Sequence, residues 1–148
     1  MKSKKDPLSN AARFATRAIH AGQEPEPSTG AVTPPIFQTS TFAQTAPGVH
    51  KGYDYSRTDN PTRTALQEAL ASLESADHAL AFSSGMGATT TVLLLLKKGD
   101  HIVSSRDVYG GTYRIFRRVF EEFGLQFSFV ETSDSRQVSR AVNRRTRL

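Results

Sequence analysis

Residues 101–130, HIVSSRDVYGGTYRIFRRVFEEFGLQFSFV, decide the fold class of this 148-residue chain. Short apolar runs at 101–104 and 126–130 flank a segment whose apolar residues recur at helical spacing from Thr112 to Phe123, where Gly124 ends it. This order predicts a strand, an amphipathic helix and a second strand. Strands that alternate with helices are typical of parallel sheets with right-handed crossovers, so the sequence predicts an α/β fold.

Further elements are predicted on both sides of this segment. They are a helix capped by Asn60 and opened by Pro61, a strand at 78–82, an apolar helix at 88–96 and a last helix from Ser133 to Val142. The helix at 88–96 should be buried, because it is strongly apolar. Residues 146–148 resemble the opening of another strand, so we expect a truncated chain whose sheet keeps an unpaired edge.

The first part of the chain differs in composition from the rest. From residue 1 to about residue 43 it is rich in Pro, Gly, Ser and Thr, with one short predicted helix at about 11–20. Such a segment cannot bury itself well, so we expect an extended arm that lies across the remainder of the chain or across a second subunit. The sequence thus predicts an arm at 1–59 and a partial α/β domain at 60–148, although a disordered terminus is the alternative.

Composition excludes several classes of function. The net charge is +5, but the basic residues are scattered and no nucleic-acid motif accompanies them, so we expect no nucleic-acid partner. The chain has no cysteine, which excludes disulfides and thiolate metal sites and fits a cytoplasmic protein; we predict no metal site. The longest apolar run, 92–96, is too short to span a bilayer, so we expect no membrane contact.

Three short segments carry candidate chemistry. Residues 83–87, SSGMG, lie between a predicted strand and helix, where backbone N–H groups at a helix start can hold a phosphate. Arg57 lies on an irregular segment from which its forked donors could reach a phosphate. Tyr109 follows the strand at 101–104, on the edge of the sheet where ligands bind, and could stack on a flat ring. The alternatives are a packing turn, a surface ion pair and a tyrosine that packs a loop.

These segments also resemble a known family. AVTPPI at 31–36, YSR at 55–57 with NPTR at 60–63, SGM at 84–86 and DVYGGTY at 107–113 resemble, in order and spacing, the Cys/Met-metabolism enzymes that depend on pyridoxal 5′-phosphate (PLP). That family includes cystathionine γ-synthase, cystathionine γ-lyase, methionine γ-lyase and the homoserine-ester sulfhydrylases. The resemblance runs from about residue 14 to residue 148. It implies an N-terminal arm and the first part of the large domain of a fold type I PLP enzyme, with a mainly parallel sheet. It also implies a small amino-acid substrate and a homotetramer built from dimers.

The resemblance also implies residue roles at the cofactor. Gly85 and Met86 would supply backbone donors to the PLP phosphate of their own subunit, with Ser84 beside them. Tyr55 and Arg57 would reach the phosphate of a neighbouring subunit. On this interpretation the arm is an intersubunit clasp.

Further roles and departures follow from the same resemblance. Tyr109 would stack on the pyridine ring and assist proton transfer, which makes it the candidate catalytic residue. Arg114 would lie near the substrate entrance, and Asp54 is a slight indication of a synthase rather than a lyase. Asp59 stands where the family usually has glycine, so its carboxylate could perturb the turn and the phosphate electrostatics. Gly87 replaces the more usual alanine or serine.

The lysine that would bind PLP covalently has no match in this chain. Lys51, Lys97 and Lys98 all lack the Ser/Thr-rich context that surrounds that lysine in the family. We therefore expect a PLP-dependent lyase or transferase by family whose chain is inactive alone. The alternative of another class is a non-catalytic truncated product that acts only in oligomer assembly.

Overall fold

A computed structural model describes residues 12–148. Contacts divide the described residues into two compact units, which meet in the sequence between Ala81 and Phe82. The division predicted at residues 59 and 60 concerns an arm and a domain of a larger enzyme, and it stays a prediction. Residue 11, where the first predicted helix begins, lies outside the described residues.

The described residues of the first unit contain two helices: α1, Phe14–His20, and α2, Pro61–Leu73. The prediction for the start of α2 is confirmed, because Asn60 Oδ1 accepts the Thr62 N–H at 2.9 Å and proline occupies the first turn. Irregular backbone connects the helices, with isolated antiparallel bridges at Thr41–Tyr55 and Ala46–Val49.

The helices of the first unit approach closely at Gly22. A side-chain carbon at Gly22 would lie 2.5 Å from the carbonyl oxygen of Ala65, and the residue has a φ of +71°. Glycine is therefore required there on two grounds, space and backbone conformation.

The second unit alternates helices and strands as the sequence predicts. In order along the chain its elements are α3, Gly85–Leu94; β1, His101–Ser105; α4, Gly110–Ile115; a π-helical turn, Phe116–Phe120; β2, Gln126–Val130; and α5, Ser135–Ala141. Strands β1 and β2 pair in parallel from His101 opposite Gln126 to Ser105 opposite Val130. The predicted α/β class with a parallel sheet is confirmed.

A third segment of backbone pairs with the other edge of β1. The His101 N–H donates to Arg145 O at 2.8 Å, and the Val103 N–H donates to Leu148 O at 2.9 Å. In return, the Arg147 N–H donates to His101 O at 2.9 Å. This segment forms an isolated parallel bridge, His101–Thr146, and the sheet itself consists of β1 and β2.

The core of this unit lies between the sheet and its helices. It consists of five buried side chains: Leu93, Ile102, Phe116, Phe120 and Leu125. The amphipathic helix is confirmed, because Phe116 and Phe120 face this core while Arg117 and Arg118 are exposed. The π-helical turn, in which the Glu121 N–H donates to Phe116 O at 3.0 Å, was not predicted.

Three predictions about elements were wrong. No strand forms at 78–82, since no neighbouring strand among residues 12–148 supplies a ladder; Gln67 Oε1 instead accepts the Ala81 N–H at 2.9 Å. Helix α3 begins at residue 85 rather than 88, and of its residues only Leu93 is buried. Leu94 and Leu95 are 66% and 78% exposed, so the apolar helix is covered on one face only.

The last helix also differs from its prediction. Its cap is Asp134 rather than Ser133, because Asp134 Oδ1 accepts the Arg136 N–H at 3.0 Å. The Ser133 hydroxyl donates instead to Glu131 Oε1 at 2.9 Å. The helix ends at Ala141, one residue before the predicted end.

Candidate cofactor-binding site

The start of α3 presents two backbone donors. Ser84, at the N-cap, accepts the Gly87 N–H on its hydroxyl oxygen at 3.0 Å. Gly85 and Met86 occupy the first helical positions, where an N–H group has no acceptor within the helix. A side-chain carbon built on Gly85 would meet nothing within 4 Å. Both N–H groups lie at the positive end of the helix dipole, where an anion is stabilised.

The start of α4 presents an aromatic ring. Tyr109, its N-cap residue, is 74% exposed. The ring lies against Gly111, where a side-chain carbon would come within 2.5 Å of Tyr109 Cε1. The absence of a side chain at Gly111 therefore gives the ring its place, whereas Gly110 has open space around it.

The structure brings these two helix starts together. The Thr112 hydroxyl, in the first turn of α4, donates to Met86 Sδ at 3.6 Å. Helix α4 follows the carboxyl end of β1 after a short loop, so both starts lie on the edge of the sheet where α/β proteins bind ligands. Gly85 and Tyr109 are exposed, and the edge is open rather than enclosed. Whether Ser84, Gly85, Met86 and Tyr109 serve a cofactor stays a prediction.

Tyr55 and Arg57 belong to the first unit. Both are exposed, and the Arg57 guanidinium carbon lies 5.0 Å from the centroid of the Tyr55 ring. This distance is that of a cation–π contact. Within the described part of the chain Arg57 forms no ion pair.

The other two predicted site residues make few contacts. Arg114 is exposed on α4, and Asp54 Oδ1 accepts the N–H of its neighbour Tyr55 at 2.7 Å. Nothing in these contacts assigns either residue to a substrate, so both roles stay predictions.

Sequence reasoning missed the partner of Asp59. The Asp59 carboxylate accepts the Asn60 N–H at 2.8 Å and the Thr64 hydroxyl at 2.9 Å, and it lies 3.7 Å from Arg63 Nη2. These contacts tie Asp59 to the start of α2. The NPTR motif contained the signal, since Arg63 lies four residues after Asp59, at the spacing of a helical ion pair.

Sequence reasoning also missed a buried polar cluster at the amino-terminal end of β1. His101 is 4% exposed; its Nε2 lies 2.9 Å from Ser128 Oγ and its Nδ1 lies 2.8 Å from Thr146 Oγ1. The amide nitrogen of Asn143 approaches Nδ1 at 3.1 Å, which makes Nδ1 the acceptor and leaves Nε2–H to donate to Ser128. His101 begins β1, so this cluster connects β1, β2 and the segment after α5 at the end of β1 that lies away from the helix starts.

The parallel sheet and its alternating helices define the class of this protein, which is that of the α/β proteins. A family model described as "Cys/Met metabolism PLP-dependent enzyme" matches residues 15–148. This chain therefore belongs to the Cys/Met metabolism PLP-dependent enzyme family, as its motifs predict.

Individual relatives agree with this assignment. A probable cystathionine gamma-synthase of Herpetosiphon aurantiacus is 62% identical over 135 residues, which are 91% of this chain and 42% of that protein. A cystathionine beta-lyase of Coxiella burnetii is 54% identical over 134 residues, 90% of this chain and 35% of that protein. The crystal structure of metB from Corynebacterium glutamicum superposes with a TM-score of 0.89 at 45% identity, covering 94% of this chain and 37% of that one. The chain thus spans well under half the length of these relatives. No helix in residues 12–148 is long and apolar enough to cross a membrane.

Proposed function

We propose that this chain supplies part of the PLP site of a transsulfuration enzyme that acts on a γ-substituted amino acid. The observation that carries the proposal is the pair of helix starts, where the free N–H groups of Gly85 and Met86 lie beside the segment that bears the exposed Tyr109 ring. A phosphate and a flat heteroaromatic ring are the two parts of PLP that such groups recognise.

In this proposal the residues at the two helix starts bind the phosphate and the ring of the cofactor. The N–H groups of Gly85 and Met86 donate to the phosphate, and Ser84, whose oxygen already accepts the Gly87 N–H, keeps its own hydroxyl hydrogen free to donate as well. The Tyr109 ring stacks on the pyridine, and its hydroxyl exchanges a proton with the substrate. The bound cofactor supplies an electron sink for chemistry at the substrate carbons.

Tyr55 and Arg57 are proposed to reach the phosphate of a neighbouring copy, which requires a homo-oligomer. Arg57 suits this task because it is exposed and is held over Tyr55 without an anionic partner among the described residues. A guanidinium in that state can donate two parallel hydrogen bonds to a phosphate.

Within the second unit, no lysine lies beside the phosphate cradle, by which we mean the N–H groups of Gly85 and Met86. Lys97 and Lys98 follow the carboxyl end of α3, which ten helical residues place roughly 15 Å from Gly85. The side chain of Lys98 lies against Gly124, whose built side-chain carbon would be 2.7 Å from Lys98 Cγ. We therefore propose that the chain by itself binds the cofactor without covalent attachment and does not turn over substrate.

The substrate within the family is a finer proposal. The most similar of the relatives named above is a probable cystathionine gamma-synthase, which favours replacement at Cγ. The Coxiella relative is named for β-lyase chemistry, so cleavage at Cβ is the second candidate. Elimination by a cystathionine or methionine γ-lyase, acyl-homoserine sulfhydrylation and a non-catalytic role in oligomer assembly remain the alternatives that the motifs allow.

Replacement of Gly85 by proline tests the phosphate cradle. Proline lacks an N–H but fits the first position of a helix, and Ser84 before it is already extended, with φ −159° and ψ 156°. Gly85→Pro therefore removes one donor and leaves the helix. We expect binding of pyridoxamine 5′-phosphate, followed by equilibrium dialysis, to weaken about ten- to a hundred-fold. This probe has no aldehyde and cannot condense with surface lysines.

Gly85→Ala is the matched control, because it adds a side-chain carbon in open space and keeps the N–H. Its affinity should stay within about threefold of the wild type, since surface substitutions usually cost little. Equal affinities of the alanine and proline variants would remove the cradle from the proposal. A wild-type chain that does not bind the probe at all would contradict the proposed function of this chain.

A further inference from the structure

The loop that bears Arg57 is held by a second arginine. Arg63, in the first turn of α2, donates from Nη1 to Ser56 O at 3.1 Å and from Nη2 to Thr58 O at 2.8 Å. These carbonyls belong to the residues immediately before and after Arg57. The guanidinium of Arg63 therefore fixes the backbone on both sides of Arg57. The ammonium of a lysine is a compact charge and would bridge the two carbonyls less well.

Asn60 and Asp59 complete this attachment. Asn60 Nδ2 donates to Ser56 Oγ at 2.9 Å and to Phe37 O at 3.0 Å, while its Oδ1 caps α2. The Asp59 carboxylate faces Arg63 Nη2 at 3.7 Å. The side chains of Asp59 and Arg63 are each about one-third exposed, so their pairing is partly shielded from water.

The pairing has an electrostatic consequence for Arg57. Asp59 lies only two residues from Arg57 and would be a competing anion for its guanidinium. In the structure Asp59 is occupied by Arg63, Thr64 and the Asn60 N–H, whereas Arg57 rests on the Tyr55 ring. Arg63 therefore both shapes the loop and keeps the nearby carboxylate away from Arg57.

We propose that Arg63 is a positioning residue that holds the loop 55–59 so that Arg57 is presented to the phosphate of the ligand. The inference rests on the proposed function, because it takes Arg57 as a phosphate-binding group. Arg63 itself makes no contact with the ligand in this proposal.

A double-mutant cycle tests the proposal. We expect Arg63→Met to weaken pyridoxamine 5′-phosphate binding by the full chain about tenfold, and Arg63→Lys to restore little of it, because lysine cannot bridge both carbonyls. In an Arg57→Met background, Arg63→Met should have no further effect, since residues that act through one another are not additive. Arg13→Met, which removes one exposed positive charge from the same unit, is the control and should leave binding unchanged.

Amide hydrogen exchange gives a readout that does not need the ligand. In Arg63→Met and Arg63→Lys, exchange in a peptide covering 55–60 should accelerate about tenfold, while a peptide covering α5 keeps its wild-type rate. If Arg63→Met weakens binding equally with and without Arg57, or the exchange rates do not change, the positioning role is overturned. If the wild-type chain binds no probe but the loop still opens in the variants, the proposed function has failed and the hold of Arg63 on the loop has not.

Discussion

The two segments proposed to bind phosphate, 84–87 and 55–60, are built in different ways. In the first, the donors are backbone N–H groups whose direction is set by the start of α3, and one hydroxyl, that of Ser84, completes the turn. In the second, the donor is the side chain of Arg57 on irregular backbone, and Asp59, Asn60 and Arg63 hold that backbone. A backbone site depends on one helix, whereas a side-chain site depends on every neighbour that fixes its loop.

The largest expected effect is a complete absence of turnover. Both segments bind the cofactor in our proposal, yet neither carries a lysine in the family's covalent context. The chain with added PLP and L-cystathionine should therefore release no 2-oxobutyrate above a blank without protein. Release that rises in proportion to protein concentration would show that one of the segments does more than bind the cofactor, and would contradict the proposal that the chain alone is inactive.

Among the substitutions considered in the segments 55–60 and 84–87, Asn60→Ala should lower the free energy of unfolding most. It removes a helix cap and the two donors to Ser56 and Phe37, so we expect about 2–3 kcal/mol of lost stability in urea unfolding. Asn60→Ser keeps a capping oxygen but not the amide donors, and it should recover about 1 kcal/mol. Full recovery of stability in Asn60→Ser would mean that the amide donors do not hold the loop.

Ser84→Ala should cost less, because Ser84 makes a single capping bond, to the Gly87 N–H. We expect a loss of about 1 kcal/mol, and Ser84→Asp, which restores a capping acceptor, should recover it. If Ser84→Ala and Asn60→Ala lower the free energy of unfolding equally, the segment 84–87 depends on its side chains as strongly as the loop 55–60 does. The difference stated above would then not exist.

The smallest effect concerns a second side-chain-built loop in the first unit. The hydroxyls of Ser28 and Thr29, with their backbone N–H groups, lower the pKa of Glu26 from 4.5 to about 2. A lowered folded-state pKa means that the ionised carboxylate stabilises the loop above pH 4.5 and that this contribution disappears as the pH falls towards 2. NMR titration of the Glu26 carboxyl carbon should give a midpoint near 2, and Ser28→Ala should move the midpoint upwards. A wild-type midpoint near 4.5 would contradict the prediction.

Much of the fold was predictable because it depends on local chemistry. Apolar spacing predicted β1, β2 and the helix between them, and Asn60-Pro61 predicted the start of α2. The strand at 78–82 failed because a strand exists only with a neighbour, which a single sequence does not display. The burial of α3 failed for a related reason: composition predicts what a helix would bury, whereas its surroundings decide what it does bury.

The candidate site divides in the same way. Sequence motifs predicted the segments of Gly85 and Tyr109, and the structure brings those segments together through Met86 and Thr112. The sequence could not predict the hold of Arg63 on Ser56 and Thr58, because bonds from a side chain to carbonyls of an irregular loop leave no periodic pattern.

The His101 cluster has a consequence for how the second unit folds. The hydrogen bonds of His101 connect it to Thr146, 45 residues away in sequence, and to Ser128, 27 residues away. The contacts at the start of β1 are therefore distant in sequence. Closing loops of this length costs entropy before any packing is gained, and such topology slows folding. Helices α3 and α4 can form early from local contacts, whereas the sheet forms only after β1, β2 and the segment around Thr146 have come together. Formation of the His101 cluster is thus expected to coincide with the slowest step in assembling this unit, and substitutions there should act on the rate at which the sheet closes.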